Sequence, residues 1–195
     1  GAYIHNLEPF WDHYWKNGEN DKLGWRLEYN MKHRGDVYAT HGLGPVAQAL
    51  DIHRGDRMKT LVAMDTKSVV GKSLVEERTG QPCENFGNGD HTTTLIRTEN
   101  GKVIEIQHDV MTPQPYNRLY QLTGTKGFAN KYPIAGYALD AKQLNASGVA
   151  PEVDNLNSHS FMPKKDMEAL VQKYQHPILK KYGEMAKEVG GHGGM

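Results

Sequence analysis

The chain has 195 residues, with 23 basic and 23 acidic side chains and no formal net charge at neutral pH. That balance argues against a nucleic-acid binder, which carries a basic excess, and gives no pull toward an anionic membrane surface. Hydrophobic residues make up only 37% and glycine fills 21 positions, which suits a loop-rich domain or a piece of a larger one.

In chain order, Gly1 to Leu7 reads as a strand already under way. Phe10 to Gly24, with Trp11, Tyr14 and Trp15, reads as a short helix or a packed loop. Trp25 to Lys32 follows, then a turn at His33-Arg34-Gly35-Asp36. Gly42-Leu43-Gly44-Pro45 punctuates the start of a helix that runs to about Ile52, with Pro45 near its first turn, and Arg54-Gly55-Asp56 ends it. Met58 to Met64 reads as a strand, Ser73 to Thr79 as a short helix and Gly80 to Gly89 as a loop. That loop holds the one cysteine, Cys83, which excludes an intrachain disulfide, leaves the redox compartment open and, beside Pro82 and Glu84, reads as an unreactive thiol.

The clearest β signal comes next. Thr92 to Thr98 is rich in Thr, Leu and Ile, Asn100-Gly101 is the strongest short hairpin signal, and Val103 to Val110 alternates apolar and polar positions. Tyr116 to Thr123 reads as a third strand, which makes an antiparallel meander, and Gly124-Thr125-Lys126-Gly127 turns into Phe128. Ala141 to Ser160 is polar and irregular. Pro163 opens a helix with Met167, Leu170, Val171 and Tyr174 at helical spacing, and Pro177 opens another with Leu179, Tyr182, Met185 and Val189. The expectation is an α+β fold, an open antiparallel sheet with helices on one face, forming one domain over residues 1–195. No apolar run approaches the ~20 residues that span a bilayer.

Four places gather polar groups beside glycine or aromatic residues. Tyr38-Ala39-Thr40-His41-Gly42-Leu43-Gly44-Pro45 sets a Tyr, a Thr and a His just before a helix amino terminus, where backbone N–H groups can meet a polar ligand and an imidazole can exchange protons near neutral pH. A plain helix cap with a satisfied histidine fits the same residues. In Gly89-Asp90-His91-Thr92 a turn-capping role for His91 is favoured. His108 and Asp109 are strand neighbours that face opposite sides of the sheet, so they are read as structural rather than as an acid–base pair. Gly190-Gly191-His192-Gly193-Gly194 permits close backbone approach to a ligand and equally suits a flexible tail. There is no Gly-x-Gly-x-x-Gly nucleotide fingerprint, no zinc spacing and no Gly-x-Ser-x-Gly elbow, and no carboxylate pair stands out as the acid and base of an ordinary glycosidase.

A linked set of segments goes further than spacing. Gly1-Ala2-Tyr3-Ile4-His5-Asn6-Leu7, Trp25-Arg26, the run from Arg34 to Ala47, the run from Asp90 to Thr98, Gln107-His108-Asp109-Val110, Pro113-x-Pro115-Tyr116, Gly124-Thr125-Lys126-Gly127 and the closing Gly190 to Met195 occur in order. Together they resemble glycoside hydrolase family 109, within the glucose–fructose oxidoreductase, inositol dehydrogenase and MocA superfamily. The resemblance implies a two-domain bacterial enzyme, with an amino-terminal Rossmann domain that holds NAD and a carboxy-terminal α+β domain that binds sugar. This chain corresponds to the second part only, so it is expected to have little activity alone and to dimerise or aggregate through apolar surface, a homo-oligomer through the sheet face being one form of this.

The activity so implied is release of terminal α-linked N-acetylgalactosamine by oxidation, elimination, addition and reduction, with NAD regenerated in each turnover. Carried over by position, His41 is the acid–base residue, with Tyr38 orienting or assisting it. Tyr3, Arg26, Tyr38, Ala39, Thr40, His41, Tyr116 and His192 are the substrate-binding set, and Arg26 and Tyr38 also face the cofactor. No metal is implied, nor is a nucleic-acid or membrane partner, and the expected location is periplasmic or extracellular. The alternatives are an NAD-dependent sugar dehydrogenase of the same superfamily and a sugar-binding module without catalysis.

Overall fold

The Asn100-Gly101 turn organises the first part of the chain. Gly101 takes a left-handed φ of 81°, a conformation open to glycine, and the Thr98 and Lys102 backbones close the turn (2.9 Å). It joins β3 (Thr92–Thr98) to β4 (Val103–Asp109) in antiparallel register, Ile96 opposite Ile104. β2 (Met58–Asp65) adds antiparallel to β3, and β1 (Ala2–Ile4) adds parallel to β4, giving the order β1-β4-β3-β2. The computed structural model describes residues 1–6, 8–15, 23–148 and 158–190. These form two compact units, Gly1–Tyr120 and Gln121–Met195.

In the first unit β3 and β4 have one covered and one exposed side, as the period of two along a strand requires, whereas β1 is buried throughout and β2 is exposed along nearly its whole length. Thr94, Ile96, Ile104, Ile106 and His108 are buried, whereas Leu95 and Val103 between them are exposed. α2 (Thr40–Ala49) lies on the covered side, where Val46 joins Ile52, Ile96, Ile104 and Ile106 in one apolar cluster. Each such buried aliphatic side chain contributes roughly 1.5–3 kcal/mol. A second cluster gathers Trp11 and Trp15 from a single π-helical turn (Trp11–Trp15), Leu27 from α1 (Trp25–Lys32), and Leu74 and Val75 from α3 (Val70–Thr79) around Tyr3 and Val110. Cys83 is buried in the same cluster, and burial pushes its thiol pKa up, which agrees with an unreactive thiol.

The second unit is a three-stranded antiparallel sheet, β5 (Gln121–Thr123), β6 (Gly127–Asn130) and β7 (Gly136–Leu139), with α4 (Ala141–Ser147), α5 (Lys164–Tyr174) and α6 (Pro177–Glu188). Its core centres on Leu144 and Met162, packed by Tyr137, Leu139, Met167 and Leu170. Along α6 the apolar residues Ile178, Leu179, Tyr182 and Met185 are all exposed. Among the described residues, no helix is long and apolar enough to cross a membrane.

The α+β class, the β3–β4 hairpin and the two late helices agree with the sequence reading. Five details differ. β1 pairs parallel to β4, so the sheet is not antiparallel throughout. The third strand of the expected meander begins only at Gln121 and belongs to the second sheet. Pro113 and Pro115, which lack a backbone donor, precede a stretch that instead bridges β1 at Ile4 and Asn117. Pro45 is the sixth residue of α2 rather than part of its first turn, and the helix ends at Ala49, where Asp51 and His53 turn left-handed (φ 57° and 64°). α3 starts three residues early, at Val70, because Asp90 accepts the N–H groups of Val69, Val70 and Gly71 at its amino end (2.8–2.9 Å). Finally, Ala141 to Ser147 is helical: Asp140 caps it by accepting from Gln143 N (2.8 Å), and Gly148 ends it in the left-handed region.

Candidate functional site

Tyr3 is the hub of the aromatic and imidazole groups in the first unit. The parallel register sets it opposite His108, and both side chains lie on the helix-covered side of the sheet. The Tyr3 ring centre is 5.7 Å from that of His108, 5.2 Å from that of Tyr38 and 5.0 Å from that of His41. Tyr38 and His41 meet edge to face at 4.9 Å.

Two local features bring His41 here. The Asp36 carboxylate accepts the Tyr38 N–H (3.2 Å) and shapes the turn before α2. Gly42 then lets the helix rest directly on the sheet, since a Cβ at this position would sit 2.9 Å from Ile106 Cγ2. Pro45, four residues after His41, has no N–H to offer the His41 carbonyl.

A second tier comes from the chain that runs beside β1. Ile4 and Asn117 exchange backbone hydrogen bonds (3.0 and 2.9 Å). One residue to either side, that register sets Tyr3 across from Arg118 and His5 across from Tyr116. The Arg118 guanidinium carbon lies 4.3 Å from the Tyr3 ring centre and 5.2 Å from that of Tyr116, while His5 and Tyr116 meet edge to face at 5.1 Å.

Arg26, the second residue of α1, lies over the Trp25 ring at 4.4 Å. With Tyr3, Tyr29, Tyr38 and His108 it lines a small cavity of about 20 Å³, room for roughly one water molecule. His108 is 1% exposed, and neither of its ring nitrogens has a hydrogen-bond partner within the described residues.

These surroundings oppose the charging of the imidazoles. Burial lowers the His41 pKa, and the charges of Arg118 and His5 lower it further. Burial lowers that of His5 as well, with Arg118 acting in the same direction. Burial takes His108 down to about 4. It is therefore uncharged near neutral pH, and its 4.0 Å approach to Asp36 is no ion pair there. Asp36 is itself raised, because it is buried. The Nδ1 of His41 is buried without a hydrogen-bond partner among the described residues. A neutral imidazole so placed can accept a proton, and the tyrosine rings around it can stack on a sugar while their hydroxyls hydrogen-bond.

Of the residues expected from sequence, Tyr3, Tyr38 and His41 come together, Arg26 reaches them through the cavity, and Tyr116 joins through His5 and Arg118. Ala39 is the partly buried residue before α2, and Thr40 is its exposed first residue. His192 lies outside the described residues. His91 does not cap its turn as expected: its Nδ1 lies 3.2 Å from Asp109 Oδ2. Asp109 also accepts from Met111 N, Thr112 N and Gln114 Nε2, so it turns away from His108 as the strand period requires. His5, His108 and Arg118 were missed. For His5 and Arg118 a signal exists: each stands two places after an expected tyrosine in extended chain, hence on the same side. For His108 the signal is the β1–β4 register, which is not local. Among the described residues, no group of three or more His, Cys, Asp or Glu side chains is placed to hold a metal ion.

The family model described as "Glycosyl hydrolase 109, C-terminal domain" matches residues 2–195. Glycosyl hydrolase family 109 protein 5 of Phocaeicola vulgatus is 85% identical over the whole of this chain, which covers 38% of that relative. A glycosyl hydrolase family 109 protein of Porphyromonas gingivalis and protein 1 of the same family from Bacteroides thetaiotaomicron are each 57% identical over the whole chain, which covers 40% of either. The chain thus spans about two fifths of the length of the curated relatives it matches.

Proposed function

The chain belongs to glycosyl hydrolase family 109 as its carboxy-terminal domain, and from that premise we propose that the whole protein is a bacterial glycosidase that releases terminal α-linked N-acetylgalactosamine with the help of NAD. The observation that carries this reading is the His41 imidazole, whose charging burial opposes, set against the Tyr3 and Tyr38 rings with one ring nitrogen buried and without a hydrogen-bond partner among the described residues. A base of this kind suits the removal of a carbon-bound proton, and it accounts for an enzyme without the carboxylate pair of ordinary glycosidases.

In this mechanism the sugar lies against the tyrosine rings, with Tyr3 and Tyr116 offering faces and hydroxyls. His41 accepts the proton from C2 of the sugar as the C1 leaving group departs, and Tyr38, edge-on to His41, holds it in place. Bound NAD would supply the hydride acceptor for C3, which would make the C2 proton acidic, and would serve as the hydride donor once water has added at C1. Arg26 and Tyr38 fit a part in holding the cofactor. Both line one cavity, and a guanidinium beside a phenol supplies donors for the polar groups of a dinucleotide. Ala39 and Thr40 border the sugar through their backbone, and His192 completes the set.

A periplasmic or extracellular location belongs to this reading. So does self-association through the bare sheet face, which the exposed Val62, Met64, Leu95 and Val103 support. The test is to incubate the full-length gene product and NAD with 4-nitrophenyl α-N-acetylgalactosaminide. Nitrophenol release with no net NADH is the expected result. Accumulating NADH with free sugar would replace the reading by a dehydrogenase, and sugar binding with neither product would leave a binding module.

A further inference from the structure

We propose that Arg118 is a positioning residue of this site: clamped between the Tyr3 and Tyr116 rings, its fixed charge stands beside the His41 and His5 imidazoles and commits His41 to the role of proton acceptor. The inference rests on the glycosidase reading for its catalytic meaning, but its physical content is independent of any substrate.

The geometry comes first. Arg118 is partly buried, and its guanidinium carbon lies 4.3 Å from one ring centre and 5.2 Å from the other, well inside the range of cation–π attraction. The backbone bridge between Ile4 and Asn117 sets the Arg118 backbone across from Tyr3, and so places its guanidinium over the two rings. Each tyrosine it touches also touches a histidine, Tyr3 with His41 at 5.0 Å and Tyr116 with His5 at 5.1 Å. Arg118 therefore sits at the centre of a chain of rings that runs His41, Tyr3, Arg118, Tyr116, His5.

The electrostatics follow from that placement. The groups that face His41 are Tyr3 from β1, His5 just after it, Tyr38 from the turn before α2, and Arg118 from the strand-like segment beyond Pro115. His108 lies behind Tyr3, with Asp36 4.0 Å beyond its Nε2. Burial of His41 opposes its protonation first, and the charges that add to burial are Arg118 and His5, both of the sign that repels a proton. Burial and Arg118 also oppose the charging of His5. A guanidinium stays charged at every pH of interest, which makes its effect on His41 permanent. A lysine in its place would keep the charge, but not the flat contact on two rings.

The test follows the His41 ring by 1H–13C NMR in the full-length gene product, labelled at histidine Cε1, with the His41 signal identified by its loss in His41→Asn. Arg118→Gln should raise the His41 midpoint, since it removes a charge that opposes protonation. The acid limb of kcat/KM for 4-nitrophenyl α-N-acetylgalactosaminide should move up with it. Arg118→Lys should leave the midpoint close to that of the unaltered protein while lowering kcat/KM several-fold through looser tyrosines. If the glutamine variant does not fold, Arg118→Met replaces it, since methionine packs on aromatic rings without charge. An unchanged midpoint in the neutral variant overturns the proposal, as does a lysine variant that moves as far as the glutamine one. Absence of sugar release by the unaltered protein would sink the glycosidase reading alone, because the NMR midpoints would still decide the role of Arg118.

Discussion

Tyr3 and His108 are register partners across the parallel β1–β4 pair, and their rings meet at 5.7 Å. A backbone pairing between the first strand and one a hundred residues later thus supplies the floor of the candidate site. The helix that carries His41 is laid over that floor, so strand register and helix contact together set where the imidazole stands.

Replacing His41 with Ala should remove most of the activity without unfolding the protein. The side chain is only partly buried, and its buried nitrogen has no hydrogen-bond partner among the described residues. A drop of about 10²–10⁴-fold in kcat is expected for a lost proton acceptor, with far-ultraviolet circular dichroism unchanged. Near-normal turnover would end the assignment.

The same base predicts a pH profile. The His41 pKa lies below the ordinary imidazole value, first because of burial and then because of Arg118 and His5. A base works in its unprotonated form, so kcat/KM should hold its plateau to a pH below the usual imidazole midpoint before it falls. An acid limb above that midpoint would contradict the charge arrangement described for the site.

His108 makes a separate prediction about stability. Its folded pKa, lowered by burial to about 4, lies beneath the unfolded value of an imidazole. Between the two values the unfolded chain binds the extra proton, so stability is full above about pH 6.5 and declines as pH falls toward 4. The total is on the order of 3 kcal/mol. Thermal melts between pH 7 and 4 should show this decline, and His108→Leu should flatten it. A parallel decline in the leucine variant would place the effect elsewhere.

Gly42→Ala should lower stability by about 1–3 kcal/mol, because its Cβ would come within 2.9 Å of Ile106 Cγ2 and 3.5 Å of the Ala2 carbonyl carbon. Since α2 must then lift from the sheet, kcat should fall as well, although no group of the site has been removed. An alanine variant with normal melting and normal turnover would show that the contact has slack.

Asp90→Ala provides the contrasting case. Asp90 accepts three N–H groups at the start of α3, so its loss should cost about 1–2 kcal/mol. The pH profile of activity should stay in place, because Leu74 and Val75 of α3 meet the Tyr3 cluster through apolar packing and α3 brings no charged group to His41. Chemical denaturation and a pH–rate curve on the same variant would check both halves.

The parts of this fold that could be read from sequence are the ones decided locally. Asn100-Gly101 between two alternating runs determines a hairpin within a dozen residues, and Met167, Leu170 and Tyr174 mark the face of α5 by spacing alone. β1 could not be assigned a direction, because its partner is chosen by tertiary pairing. α4 was hidden for another reason: Leu144 is its only fully buried apolar residue, so it has no stripe, and its signals are the cap at Asp140 and the glycine at 148. The site divides the same way. Tyr38 and His41 are neighbours in sequence and were legible as a group. His108 had been set aside as structural, correctly with respect to Asp109, and only the register reveals that it backs Tyr3.

Helix α6 offers a last consequence. It is 12 residues long, and none of its side chains is buried, although Ile178, Leu179, Tyr182 and Met185 line one side of it. A helix of that length lies near the limit at which helices sustain themselves in water, and most helical stability in proteins comes from packing. The winding of this segment is therefore a gauge: hydrogen exchange at its amides slows as its apolar side is covered, and so reports on assembly.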